Sequence, residues 1–198
     1  VDFNVAAVID GETEVLAIGL RREQIAERLA VCEAAGIEAD VATLDVVALT
    51  TLWQAGRKKI KGLQAVLHAR ENGSCLAILY NNTLAYFRHL ACTDEMLRQQ
   101  PEVVAREVQN TIRAFLAKWR GGGEIALLHL TGVSFDPGER EALSAALRMP
   151  VEDTLLSARL KGAAALDESA PDATANIWEA CLGPAPGPAG GAYARLVR

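Results

Sequence analysis

The period of the apolar positions changes several times along this chain, and each change marks an element. Residues 5–20, VAAVIDGETEVLAIGL, carry strand-like runs on both sides of Asp10-Gly11, a dipeptide that accepts the left-handed dihedrals of a tight hairpin turn. Two paired strands are predicted. Ile25, Leu29 and Cys32 then recur at spacings of four and three, which is one face of a helix, with Glu23, Glu27 and Arg28 elsewhere and Gly36 placed to end it. Residues 37–44 predict a short strand, and Asp45 is placed to cap a helix carrying Leu49, Leu52 and Trp53 on one side.

The stretch LQAVLHARENGSCLAILYNNTLAYFRHL, residues 63–90, holds three β-rich runs near 64–69, 75–80 and 83–90. Glu71-Asn72-Gly73 and Asn81-Asn82, both turn formers, separate them, so a three-stranded antiparallel meander is expected. Thr93 or Asp94 opens a helical region that restarts at Pro101, a residue suited to a first helical turn. Val104, Val108, Ile112, Phe115 and Trp119 form the longest apolar stripe of the chain and end before Gly121-Gly122-Gly123. Residues 124–130 read as a central strand buried on both faces. Asp136, Pro137 and Glu139 form a helix start ahead of Leu143, Ala146 and Leu147. A short strand is expected at 151–155, a helix at 173–181, and a proline- and glycine-rich linker or arm at 183–191.

Composition narrows the function classes. With 198 residues, 51% hydrophobic and 23% charged, the chain is long enough to bury a core. Its formal net charge of -5 disfavours a phosphate backbone as a partner, so no nucleic acid is expected. No apolar run approaches the roughly 20 residues of a membrane span. Cys32, Cys75, Cys92 and Cys181 are scattered and form no CxxC pair, which reads as buried thiols in a reducing compartment. The basic run Arg57, Lys58, Lys59 and Lys61 reads as a solvated face, with acidic headgroups or an acidic partner as the alternative.

The remaining candidates for chemistry have structural readings. The triple glycine precedes a strand and no Lys-Ser or Lys-Thr follows it, so it is a connector rather than a phosphate loop. His68, His89 and His129 fall on predicted strands and would ligate a metal only if the fold gathered them. Neither Ser74 nor Ser134 lies in a GxSxG elbow. Asp136 and Glu139 have the spacing of a helix cap, and Trp53, Trp119 and Trp178 read as packing residues.

LAIGLRREQIAERLAVCEAAGIEADVATLDVVALTTLW resembles the passage of pilus-assembly protein M and type II secretion protein L in which a strand leads into a helix with an Ala-Gly end, then a strand and a further helix. The order of meander, long helix, buried strand and capped helix is similar to the second half of the actin-like fold. The resemblance implies an α/β, actin-like ATPase (ribonuclease-H-like) fold, a mixed sheet flanked by helices, incomplete on its N-terminal side because the upstream strands and first phosphate loop are absent. It divides the chain into the remainder of a first subdomain at 1–62, a second subdomain at 63–182 and a tail at 183–198.

In that family the meander opens with an Asp-x-Gly turn facing the nucleotide phosphates and Mg²⁺. Laid without gaps, the acidic position falls on His68 and the glycine on Arg70. A neutral imidazole is a poor Mg²⁺ ligand, and an arginine obstructs close backbone approach to phosphate. LLHLTGVSFD is similar to the family's strand and Ser-Gly-Gly turn, with Thr131 and Gly132 retained in type and Val133 replacing the second glycine. His68, Arg70, Thr131 and Gly132 are thus a degenerate nucleotide site. No catalytic or metal residue and no cofactor is expected, with ATP and Mg²⁺ as the alternative. The resemblance implies a non-catalytic scaffold in the inner-membrane assembly platform of a type IV pilus or type II secretion system, on its cytoplasmic side. Its implied partners are an inner-membrane platform subunit or the secretion motor ATPase, and a homodimer is an open possibility. The alternatives are a nucleotide-binding ATPase of the same family and an unrelated α/β domain that shares the rhythm by chance.

Overall fold

The computed structural model describes residues 2–39, 41–42, 44–56, 60–154 and 194–195. The chain opens with the expected hairpin: β1 (Asp2–Ile9) pairs antiparallel with β2 (Glu12–Ile18) around Asp10 and Gly11, both at positive φ. Helix α1 (Arg22–Ala34) ends in a Schellman motif. Gly36, at φ 70°, donates to Glu33 O, and Ile37 N–H reaches Cys32 O at 2.8 Å. Ile25, Leu29 and Cys32 are only half-buried, and no described side chain of this helix is fully buried.

Of the strand expected at 37–44, the described residues show β3 (Val41–Ala42), paired with β9 (Ala194–Arg195). Helix α2 (Asp45–Gly56) follows, burying Leu49 and Trp53. The meander is present as β4 (Leu63–His68), β5 (Ser74–Tyr80) and β6 (Thr83–Leu90). Asn81 and Asn82 both take positive φ in its second turn, a conformation Asn tolerates better than most residues. Thr93 caps α3 (Asp94–Gln99), its hydroxyl accepting Met96 N–H at 3.2 Å, and Pro101 starts α4 (Pro101–Leu116).

Val104, Val108, Ile112 and Phe115 are buried along α4, each contributing about 1.5 to 3 kcal/mol by leaving water. The helix stops before Trp119. The tryptophan continues the stripe from the turn beyond, stacked on Phe115 with its indole N–H donating to Gly122 O at 3.2 Å.

The strand expected at 124–130 is shorter, β7 (Leu128–Thr131), because its ladder with β4 starts only at Ala65 opposite Leu128 and β8 (Val151–Asp153) has three residues to pair. Between them lies α5 (Pro137–Leu147), where Glu139 accepts Asp136 N–H at 2.9 Å as the cap spacing predicts and also holds Arg98. The expected helix at 173–181, the arm at 183–191, Leu155 and the basic residues 57–59 lie outside the described residues.

The five strands run in the order β6-β5-β4-β7-β8, with β4, β7 and β8 parallel and the meander pairs antiparallel. Every residue of β4 and β7 is buried, because helices cover both faces of the sheet. Helices α3, α4 and α5 pack on the face carrying Leu67, Ile78 and Leu130. On the other face α2 packs over Val66, Cys75 and Leu79.

Candidate functional site

The three parallel strands end on one edge of the sheet. In open α/β sheets that edge is where ligands sit, because the chain leaves the strands in loops that diverge there. His68 ends β4 and is the register partner of Thr131, which ends β7. Ala69 N–H extends the ladder one step by donating to Thr131 O at 2.8 Å. Gly132 comes next with φ 100°, and a Cβ built there would lie 2.2 Å from Ala69 O and 2.8 Å from His68 Nδ1. Only glycine fits this crossing. Residues 63 positions apart in sequence are thus pressed together, and His68 occupies the space beside the β7 turn.

His68 is 3% exposed, and its Nδ1 is buried without a hydrogen-bond partner among the described residues. Burial lowers its pKa to about 4; the neighbouring Arg70 guanidinium lowers it further and Asp45 partly opposes this. The imidazole is therefore neutral at ordinary pH. Arg70 lies beyond the strand end, with Nη1 2.6 Å from Asp45 Oδ2 and Nε donating to Gly73 O at 3.4 Å. Its carbonyl accepts from Asp94 N–H at 3.1 Å. Asp45 opens α2 and also accepts Val46 N–H at 2.7 Å, so the ion pair ties the start of α2 to the end of β4. Read in the sequence only as a helix cap, Asp45 is the residue of this edge that pattern reasoning missed. Nothing in the local pattern couples it to a residue 25 positions on.

Beneath α2 a cavity of about 20 Å³ lies between Trp53, Leu49, His68 and Cys75, room for about one water. The Cys75 thiol is pushed up to about 12, first by burial and then by Asp45, so it stays protonated and inert. One strand over, the His129 ring meets Trp53 edge-on at 4.7 Å, with Nδ1 3.5 Å from Thr154 Oγ1. His89 lies at the far end of β6, opposite Cys75, and is exposed. The three histidines share one face of the sheet, but among the described residues no group of three or more His, Cys, Asp or Glu side chains is placed to hold a metal ion.

The four expected site residues thus come together at one edge, and their chemistry can be tested against a magnesium nucleotide. Such a ligand needs hard oxygen donors for the metal and open backbone amides for the phosphates. This edge offers a neutral, desolvated imidazole, an arginine already engaged by a carboxylate, and a glycine whose open side is filled by His68. Asp45, the carboxylate beside them, is neutralised by Arg70. These residues do not fit a magnesium nucleotide.

No protein-family model matches the sequence, and no curated protein matches it either. Solved structures do. The fold is similar to that in a structure described as a PilM-PilN type IV pilus biogenesis complex, with TM-score 0.69 and 15% identity over 93% of this chain and 66% of that one. It is also similar to ethanolamine utilization protein EutJ from Carboxydothermus hydrogenoformans, with TM-score 0.53 and 10% identity over 83% of this chain and 62% of that one. The chain therefore spans less than two thirds of either neighbour. What these likenesses establish is the fold: an actin-like α/β architecture with a five-stranded mixed sheet flanked by helices.

Proposed function

We propose that this chain is a non-catalytic scaffold of the inner-membrane assembly platform of a type IV pilus or type II secretion system, working on the cytoplasmic side by binding partner proteins. The observation that carries the reading is the closure of the strand-end site, where His68 packs against Gly132 and Arg70 is held by Asp45. A protein with an actin-like frame and a filled phosphate site keeps the rigid surfaces of the fold without its chemistry. The likeness to a structure described as a PilM-PilN complex supports a platform subunit as the partner, with the secretion motor ATPase as the other candidate. No described helix is long and apolar enough to cross a membrane, so in this reading the partner supplies the membrane attachment.

A second reading, a nucleotide-binding ATPase, has in its favour the Thr131-Gly132 turn at the end of β7. Isothermal titration of the full-length protein with Mg-ATP separates the two. The scaffold reading expects no heat of binding, and micromolar, magnesium-dependent binding would overturn it. Co-purification with the platform subunit from detergent-solubilised membranes is the positive expectation.

A further inference from the structure

The turn between β4 and β5 carries a reactive pair that the strand-end site does not use. Of the six asparagines in the chain, Asn72 is the one followed by glycine. The backbone of this turn is loosely held. Gly73 N–H reaches Arg70 O only at 3.4 Å, and that oxygen already accepts Asp94 N–H at 3.1 Å. Gly73 O accepts Arg70 Nε–H, also at 3.4 Å. Both contacts are longer than ordinary N–H···O bonds and correspondingly weak. The Asn72 side chain is exposed and has no hydrogen-bond partner among the described residues.

Asn81, Asn82 and Asn110 are placed differently. Asn81 Oδ1 accepts Gly62 N–H at 2.8 Å, and Oδ1 of the buried Asn82 accepts from Gln64 Nε2 at 3.2 Å. Asn110 lies within α4, which fixes its backbone, and the branched side chain of Thr111 follows it. A glycine nitrogen, with no Cβ beside it, can approach the carbonyl carbon of the preceding side chain closely. Gly73 is also required by the fold, because at φ 112° a Cβ there would lie 2.9 Å from Leu90 O.

We propose that Asn72 is a site of spontaneous deamidation, and that the carboxylate it produces competes with Asp45 for Arg70. Gly73 N gives its proton to solvent base and bonds to Asn72 Cγ. The bond from Cγ to the side-chain nitrogen breaks, ammonia leaves, and a five-membered imide remains. Water then adds to one of the two imide carbonyls, and the ring opens to aspartate or to isoaspartate, in which the main chain runs through the former side chain. Water is the only co-reactant, and nothing is oxidised or reduced. Either product puts a negative charge on the turn that Arg70 already contacts through Gly73 O, while its Nη1 is held by Asp45.

Incubation of the intact protein in warm neutral buffer, followed by tryptic mapping, tests the site, because one tryptic peptide, residues 71–88, holds Asn72, Asn81 and Asn82 together. Fragment ions should place the amide-to-acid mass gain at residue 72, show none at 81 or 82, and lose the signal in Asn72→Gln. The folded protein should react no more than about tenfold more slowly than the acetylated, amidated peptide Ala-Arg-Glu-Asn-Gly-Ser, since opening the turn breaks little more than one ordinary hydrogen bond. Asn72→Asp, which supplies the product charge directly, should speed hydrogen exchange in the first turn of α2 by about threefold, the scale of an exposed ion pair. Conversion at residue 72 no faster than at 81 or 82, or a folded rate more than about tenfold below the peptide, overturns the site. Exchange in α2 that is equal in wild type and Asn72→Asp overturns the competition for Arg70.

Discussion

The two faces of the five-stranded sheet are both buried, yet they are built from different chemistry. The face under α3, α4 and α5 is mainly apolar, with Ala65, Leu67, Leu76, Ile78, Leu128 and Leu130 at under 1% exposure, and its buried hydroxyls, Ser74 and Thr111, donate to the carbonyls of Cys92 and Glu107. The face under α2 shares its area between Val66, Ala77 and Leu79 and a polar row that includes Gln64, His68, His129 and Thr131. Apolar packing is non-directional and tolerates small changes of shape, whereas each buried polar group needs its own partner or a definite protonation state. The α2 face is therefore less forgiving, and that is the face whose edge carries the closed strand-end site. Its tightness comes from position rather than from burial alone.

The largest expected effect breaks this comparison at its tightest point. Gly132→Ala places a methyl against Ala69 O and the His68 ring at a positive φ, and should lower stability by about 3 kcal/mol from strain and overpacking together. Ile112→Val, on the apolar face, should cost only about 1 kcal/mol. Urea midpoints of the two variants measured side by side decide it, and a milder effect at Gly132 than at Ile112 would mean the strand-end crossing is loose.

The next effect is a pH dependence belonging to His68. Its folded pKa, about 4, lies below the ordinary value of 6.5, so between those values the unfolded chain takes up a proton that the folded protein refuses. Stability from this group is full above pH 6.5 and is lost as pH falls toward 4, by up to roughly 3 kcal/mol. His68→Gln should flatten that slope in urea unfolding at pH 7 and pH 4.5, and an unchanged slope would assign the acid sensitivity to other groups.

The smallest effect concerns the tie between α2 and β4. The Arg70 and Asp45 side chains are 38% and 24% exposed, so solvent screens their attraction, and Arg70→Ala should cost about 0.5 to 1 kcal/mol. Hydrogen exchange should show the loss concentrated in the first turn of α2, with the α4 amides unmoved. Equal loss at both helices would argue against a local tie.

Much of the secondary structure follows from local patterns. Asp10-Gly11 and Asn81-Asn82 turn where they stand because their residues accept positive φ, and the α4 stripe needs only its helical period to be recognised. The boundaries that differ were decided by partners. The 124–130 run pairs only from Leu128, where β4 and β8 reach it. Strand length depends on what lies alongside, which a local pattern does not contain.

The same division holds for the candidate sites. The resemblance singled out His68, Arg70, Thr131 and Gly132 as a candidate site from the sequence. Only the tertiary structure decided that His68 would be pressed against Gly132 and that Asp45 would engage Arg70. The physical reason is distance along the chain. Residue type and short-range spacing set dihedral preference and amphipathic period, while contact between segments tens of residues apart, with the desolvation and charge pairing it brings, exists only once the sheet and its helices have assembled.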